Sequence, residues 1–184
     1  MKKILSVALA VLVISGVTAC RNQSEGDKND TNITNTVKDS VIIAIGSEPE
    51  TLDPTKGWGH GNSPIIQSTL VKYNAELNFE NDLATGYELS EDGLTWTFTI
   101  RDDAFFTDGE KVTAEDVAFT LETAKAANGS FDLTYMESAV AQDDTTVVIT
   151  LSKPTSIFLN TLASVGIVPE HAYGDDYGTK PIGS

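Results

Sequence analysis

Residues 83–121 read LATGYELSEDGLTWTFTIRDDAFFTDGEKVTAEDVAFTL, and this stretch decides the fold. Leu94, Trp96, Phe98 and Ile100 alternate with Thr95, Thr97 and Thr99. Successive side chains of a strand point to opposite faces, so this period of two predicts a strand with one apolar and one hydroxylated face. Asp92-Gly93 just before it is turn chemistry, and Tyr87–Leu89 is expected to pair with the strand as a hairpin. Asp108-Gly109 marks a second turn. The period then changes. Thr113 suits a helix N-cap, and Glu115 and Asp116 put negative charge in the first turn, where the helix dipole favours it. Val117, Leu121 and Ala124 follow at i, i+4 and i+7 on one face, and Asn128-Gly129 is a stop signal.

Downstream, Thr145 to Leu151 is expected to be a strand entered through Asp143-Asp144. Ser156 to Leu162 reads as a short helix after Pro154, and Ile167-Val168-Pro169 as a brief extended segment. Upstream, the apolar run Val41 to Ile45 suits a strand buried on both faces. Ser63-Pro64 is expected to open a helix through about Tyr73, since serine caps and proline at the first helical position loses no needed hydrogen bond. Strands alternate with helices, which makes this α/β or α+β material.

The ends of the chain carry a different message. Lys2 and Lys3 precede a mostly apolar run from Ile4 to Val17. That run is shorter than the roughly 20 residues a bilayer span needs and fits the core of a signal peptide. It closes on Val17-Thr18-Ala19-Cys20, with small residues before the chain's single cysteine. This is what a lipoprotein signal peptidase requires, and it predicts a leader over 1–19 and diacylglyceryl modification of Cys20. Two acyl chains anchor stably where one would be marginal. Residues 20–39 hold few apolar side chains and read as a flexible tether, which leaves 40–184 as the folded part. The last residues, Gly178 to Ser184, supply no terminating element, so the chain reads as cut off.

The formal net charge is −15, and it becomes more negative once Lys2 and Lys3 leave with the leader. Such a surface repels nucleic-acid phosphates and anionic lipid alike, so the lipid anchor has to do the tethering. One cysteine permits neither an intrachain disulfide nor a cysteine-based zinc site. Asp27, Asn29 and Thr31 alternate as in a calcium loop, but the glycine and glutamate of that loop are missing. With two histidines and no nucleophile, metalloprotease or phosphate-loop motif, no catalytic constellation is legible. The chain is therefore read as a non-enzyme that needs no cofactor, with a secreted hydrolase as the rival class.

The most unusual segment is Gly57-Trp58-Gly59-His60-Gly61. Glycines let backbone approach a ligand closely, an indole offers a flat apolar face with one donor, and an imidazole can coordinate metal or bond a carboxylate. Trp58, Gly59, His60 and Gly61 are the candidate ligand contacts, with His60 a weak candidate metal ligand.

The stretch from Leu83 to Leu121 closely resembles the signature of the extracellular solute-binding proteins of family 5, which include dipeptide-, oligopeptide- and nickel-binding proteins of ABC importers. The resemblance runs through Trp96-Thr97-Phe98, Ile100-Arg101, Asp108-Gly109 and Thr113-Ala114-Glu115-Asp116-Val117. It extends upstream to Thr51-Leu52-Asp53-Pro54 and Leu70-Val71-Lys72-Tyr73, the latter similar to the end of the family's first helix. Downstream it reaches Lys153-Pro154, Ile167-Val168-Pro169 and Pro181-Ile182-Gly183.

The resemblance implies the N-terminal portion of a two-lobed periplasmic-binding-protein-like fold, of class α/β with a mixed α+β accessory subdomain. It implies a monomer outside the cytoplasm that captures a peptide or a nickel chelate and delivers it to ABC permease subunits. In peptide-binding members the loop after the L-D-P motif touches the ligand, and here that loop is Gly57 to Asn62. Tyr135 lies in a stretch, Ser130 to Met136, that resembles a second ligand-facing segment. Arg101 is expected to make a structural ion pair. The arginines that hold the chelate in nickel-binding members have no counterpart in Asn128–Ser130 or Ser164–Gly166, which favours peptide. A sensing or chaperone-like lipoprotein without a transport role is the remaining alternative.

Overall fold

The computed structural model describes residues 42–44, 49–57, 64–129 and 131–184. The chain divides into two units, Met1–Ala44 and Ile45–Ser184, and the fold belongs to the second. The leader, Cys20 and the tether lie outside the described residues.

The hairpin at the centre of the sequence forms as its alternation requires. Strands β3 (Ala84–Leu89) and β4 (Thr95–Ile100) pair antiparallel, with Tyr87 opposite Phe98 and Leu89 opposite Trp96. Gly93 takes φ +71° in the connecting turn, and the Asp92 carboxylate accepts from the Leu94 N–H and the Ser90 hydroxyl. Strand β6 (Thr146–Leu151) adds antiparallel to β4, and β5 (Met136–Ala141) to β6, giving the order β3-β4-β6-β5. A separate two-stranded hairpin joins β1 (Val71–Tyr73) to β2 (Phe79–Asn81).

Helix α1 (Ala114–Ala127) packs across β5 and β6. Asp116, three residues past Thr113, accepts from both the Thr113 N–H and its hydroxyl, and Asn128 closes the helix in the left-handed region. Val117, Leu121 and Ala124 are buried, as their spacing predicts. They share a core with Phe98, Val147 and Ile149 from the sheet, and with Phe158 and Leu162 of the short helix α2 (Phe158–Leu162). The threonine side of β4 stays half-buried or exposed, so the two faces sort as expected. This is the mixed helix-and-sheet fold that the sequence implies.

Several elements differ from the sequence reading, β2 among them. Residues 64–70 form no helix, and Val71–Tyr73 is a strand. The backbone there bonds sideways instead of along a helix. Ser68 O accepts from Ile167 N–H, Thr69 N–H donates to the Asp82 carboxylate, and Leu70 O accepts from Ala84 N–H. Residues 42–44 carry no strand, and Ile42 is 96% exposed rather than buried. Apolar character alone forms no ladder, and no described strand pairs with this run. Strand β5, in contrast, was not legible at all. Met136-Glu137-Ser138-Ala139-Val140-Ala141 has weak strand propensity, and pairing with β6 supplies the conformation.

Candidate ligand-binding site

The loop that begins at Gly57 has its stem in the described residues. Asp53 caps a 3-10 turn over Pro54–Lys56, and Gly57 ends it at φ +93°. Proline one position after the cap suits the turn, because its missing N–H has no partner there anyway.

Asp53 is fully buried, and both oxygens of its carboxylate have polar partners. One oxygen accepts from Thr55 N–H at 2.9 Å and Thr55 Oγ1 at 2.7 Å. The other accepts from the Tyr173 hydroxyl at 2.9 Å and faces Lys56 Nζ at 3.1 Å. A buried carboxylate is tolerated only when hydrogen-bonded and paired, and this one is both. The Asp53 partnership raises the Lys56 pKa above its ordinary value. Burial in turn pushes the Tyr173 hydroxyl pKa up, so it remains a donor at neutral pH.

Around this carboxylate the chain fits closely. The Tyr173 ring lies tilted against Tyr177, 5.1 Å between centres, and meets Phe119 edge-on at 5.4 Å. Tyr177 donates to Ile182 O at 2.7 Å and accepts from Gln67 Nε2 at 3.3 Å. Leu52 N–H bonds Gly178 O, and any side chain on Gly178 would collide with the Thr51 hydroxyl. A side chain on Gly166 would reach 2.8 Å from Gln67 and 2.9 Å from Pro64, on the far side of the loop. Both glycines are required by close approach.

Trp58, Gly59, His60 and Gly61 lie outside the described residues, as does Ser130. The residues just before the two candidate ligand stretches, Lys56 and Gly129, approach each other. A side chain on Gly129 would come within 3.6 Å of the Lys56 backbone carbonyl, so Gly57–Asn62 and Ser130–Met136 depart from neighbouring points. Beside that junction, Lys125, Asn128, Phe131, Leu133 and Thr134 line a cavity of about 180 Å³.

Tyr135 is placed just before β5. Its carbonyl accepts from Ser152 N–H at 2.8 Å, and Lys153 Nζ sits 4.7 Å from the ring centre, within cation–π range. The ring is 37% exposed and has one face taken by Lys153. Arg101 forms the expected ion pair, a two-bond fork on Asp103 at 2.6 and 3.0 Å. Among the described residues no three His, Cys, Asp or Glu side chains are grouped to hold a metal. Sequence reading missed Tyr173 and Tyr177 as supports of the stem. Their four-residue spacing around Gly174 and Gly178 was the available signal.

Residues 78–184 match the bacterial extracellular solute-binding proteins, family 5. The chain belongs to this family. It is 35% identical to Protein XP55 of Streptomyces lividans over 97% of this chain and 34% of that protein. It is 33% identical to the glutathione-binding protein GsiB of Salmonella typhi, over 78% of this chain and 30% of that one. Among solved structures, NikZ from Campylobacter jejuni in complex with Ni(L-His) superposes with TM-score 0.68 and 29% identity. That superposition covers 74% of this chain and 30% of NikZ. The chain thus spans about a third of the length of the curated relatives it matches.

Proposed function

We propose that this chain contributes one wall of a solute-binding site in the binding component of an ABC importer, and that the solute is a short peptide. The observation that carries the reading is the meeting of Lys56 with Gly129, where both candidate ligand stretches begin. Trp58 and His60 from one stretch and Tyr135 from the other would face the solute, with Gly59 and Gly61 letting the backbone come close. Extended peptide suits such a wall, since main-chain hydrogen bonds give affinity with little side-chain preference. Glutathione, the ligand in the name of the relative GsiB, is itself a tripeptide. Two lobes would close on the solute, driven by its higher affinity for the closed form, and the closed form would dock on the permease.

Cys20, acylated after removal of 1–19, would hold this receptor outside the cell membrane. Radiolabelled palmitate should enter the protein in cells and disappear from Cys20→Ala. Labelling of the alanine variant would reject the anchor.

Calorimetric titration of the protein, at the full length its relatives have, should show binding to di- to tetrapeptides. Trp58→Ala should weaken that binding at least about tenfold, or 1.4 kcal/mol. Unchanged affinity would remove the loop from the site. The second reading is a nickel chelate, favoured by the likeness to NikZ with its Ni(L-His). Heat released with nickel plus L-histidine, and none with peptides, would replace the first reading by the second. The 184-residue chain alone should bind neither, because half a cleft leaves the ligand solvated.

A further inference from the structure

The outer edge of β5 has its backbone groups met by side chains of α1. Among the described residues, β5 is the last strand of its sheet and pairs with β6 alone. The N–H of Gln142 bonds Thr146 O across to β6, so alternation turns the N–H groups of Ala141 and Ala139 away from the sheet. Two side chains of α1 meet that edge. The Glu122 carboxylate accepts from Ala139 N–H at 2.8 Å, and Lys125 Nζ donates to Glu137 O at 2.8 Å. Glu122 and Lys125 lie three residues apart on the helix, 3.9 Å from each other. An acceptor and a donor are thus presented to the strand as a neighbouring strand would present them.

We propose that the Glu122–Lys125 pair stands in for a fifth strand and closes the β5 edge against a second copy of this chain. An open edge templates pairing, and natural edges are blunted by charge, proline or cover. Between Ser138 and Gln142 this strand has neither charge nor proline, and Val140 is 55% exposed. A second copy is the fitting occupant because the edge is self-complementary. Two β5 strands related by a two-fold axis through Ala139 would exchange both outward hydrogen bonds there, with short uncharged side chains on either side. The opposite edge has its own cover, since Asn81 Nδ2 donates to Thr85 O on β3 at 2.7 Å.

The test uses the chain as matured at Cys20, by sedimentation equilibrium and amide hydrogen exchange. The parent should be monomeric, with slow exchange at Ala139. Glu122→Ala/Lys125→Ala should self-associate at least about tenfold more tightly, and the dimer should protect Ala139 and Ala141. Ala141→Pro, which removes an outward N–H, should return the double variant to monomer. Glu122→Gln keeps an acceptor and should remain monomeric. If the double variant does not fold, Glu122→Ala alone carries the same expectations. A parent that already dimerises, a folded variant that stays monomeric, or a dimer indifferent to Ala141→Pro would each overturn the proposal. Protection gained only on adding an extended peptide would assign the edge to a different partner and overturn it too.

Discussion

In the β3–β4 hairpin, partners are near in sequence and the facing rings are apolar. In the stem around Asp53 they are polar, and they join the adjacent Thr55 and Lys56 to Tyr173 far along the chain. Tyr87 lies across from Phe98 in one hairpin, whereas the Asp53 carboxylate meets a hydroxyl 120 residues away. Burial is non-directional and spread over many contacts, so the sheet depends on area and packing. The stem depends on a few bonds with fixed geometry, which can aim a loop but add little bulk stability. The largest test of this contrast is Phe98→Ala. Phe98 is fully buried in the core that the sheet shares with α1 and α2, and its truncation should cost about 3–5 kcal/mol in urea unfolding. A loss under about 1 kcal/mol would mean that the sheet is not the core.

Asp53→Ala should cost less, about 1–3 kcal/mol, because it removes an acceptor from the buried Thr55 hydroxyl and the half-buried Tyr173 hydroxyl, which still bond each other, and takes away little apolar area. Combining it with Tyr173→Phe should not add. A cycle of the two should return a coupling above about 0.5 kcal/mol, as residues of one network do. Additive effects would dissolve the network and, with it, the distinction between the two regions.

The same contrast explains what sequence could disclose. The hairpin and α1 were legible because their signals are local: alternation from Leu94 to Ile100, Asp92-Gly93, and a Thr113 start. The segment after Pro64 misled because its helix-start chemistry is also local, while the bonds that decide its conformation come from Ile167 and Asp82. Strand β5 was hidden for the reverse reason, a poor local signal rescued by β6. At the candidate site, glycines around Trp58 and His60 drew the eye to a loop. Nothing near Asp53 in sequence announces Tyr173, whose signal lies 120 residues on, in its four-residue spacing from Tyr177.

The small hairpin β1–β2 offers a sharper test of local rules. Its tip places Leu77 at φ +62° and 78% exposed, while the Asn74 carboxamide accepts from Glu76 and Asn78 N–H. A left-handed conformation costs an ordinary L-residue about 1–2 kcal/mol, and exposed leucine returns little of it. Leu77→Gly should therefore stabilise the chain by about 0.5–1 kcal/mol, after the greater entropy of glycine in the unfolded chain is subtracted. A destabilised glycine variant would show that Leu77 packs on something and that the turn is not strained.

The smallest effect expected is electrostatic and belongs to the sheet's turns. The Ser90 hydroxyl and Leu94 N–H hold the Asp92 carboxyl below its usual pKa, and the Thr145 N–H and hydroxyl do the same for Asp143. A His171 ring nitrogen at 2.8 Å and the Glu110 N–H act likewise on Asp108. A carboxylate depressed in the folded state adds stability that is complete above its unfolded pKa, near 4, and is lost as pH falls through the lower folded value. The melting temperature should thus be insensitive to these three groups from about pH 7 to pH 5, then drop below about pH 4. Asp92→Asn with Asp143→Asn should flatten that acid limb while shifting the neutral melting temperature slightly downward. Were the acid limb unchanged, these turn carboxylates would contribute nothing to acid unfolding, and the exposed half of the comparison would have been drawn in the wrong place.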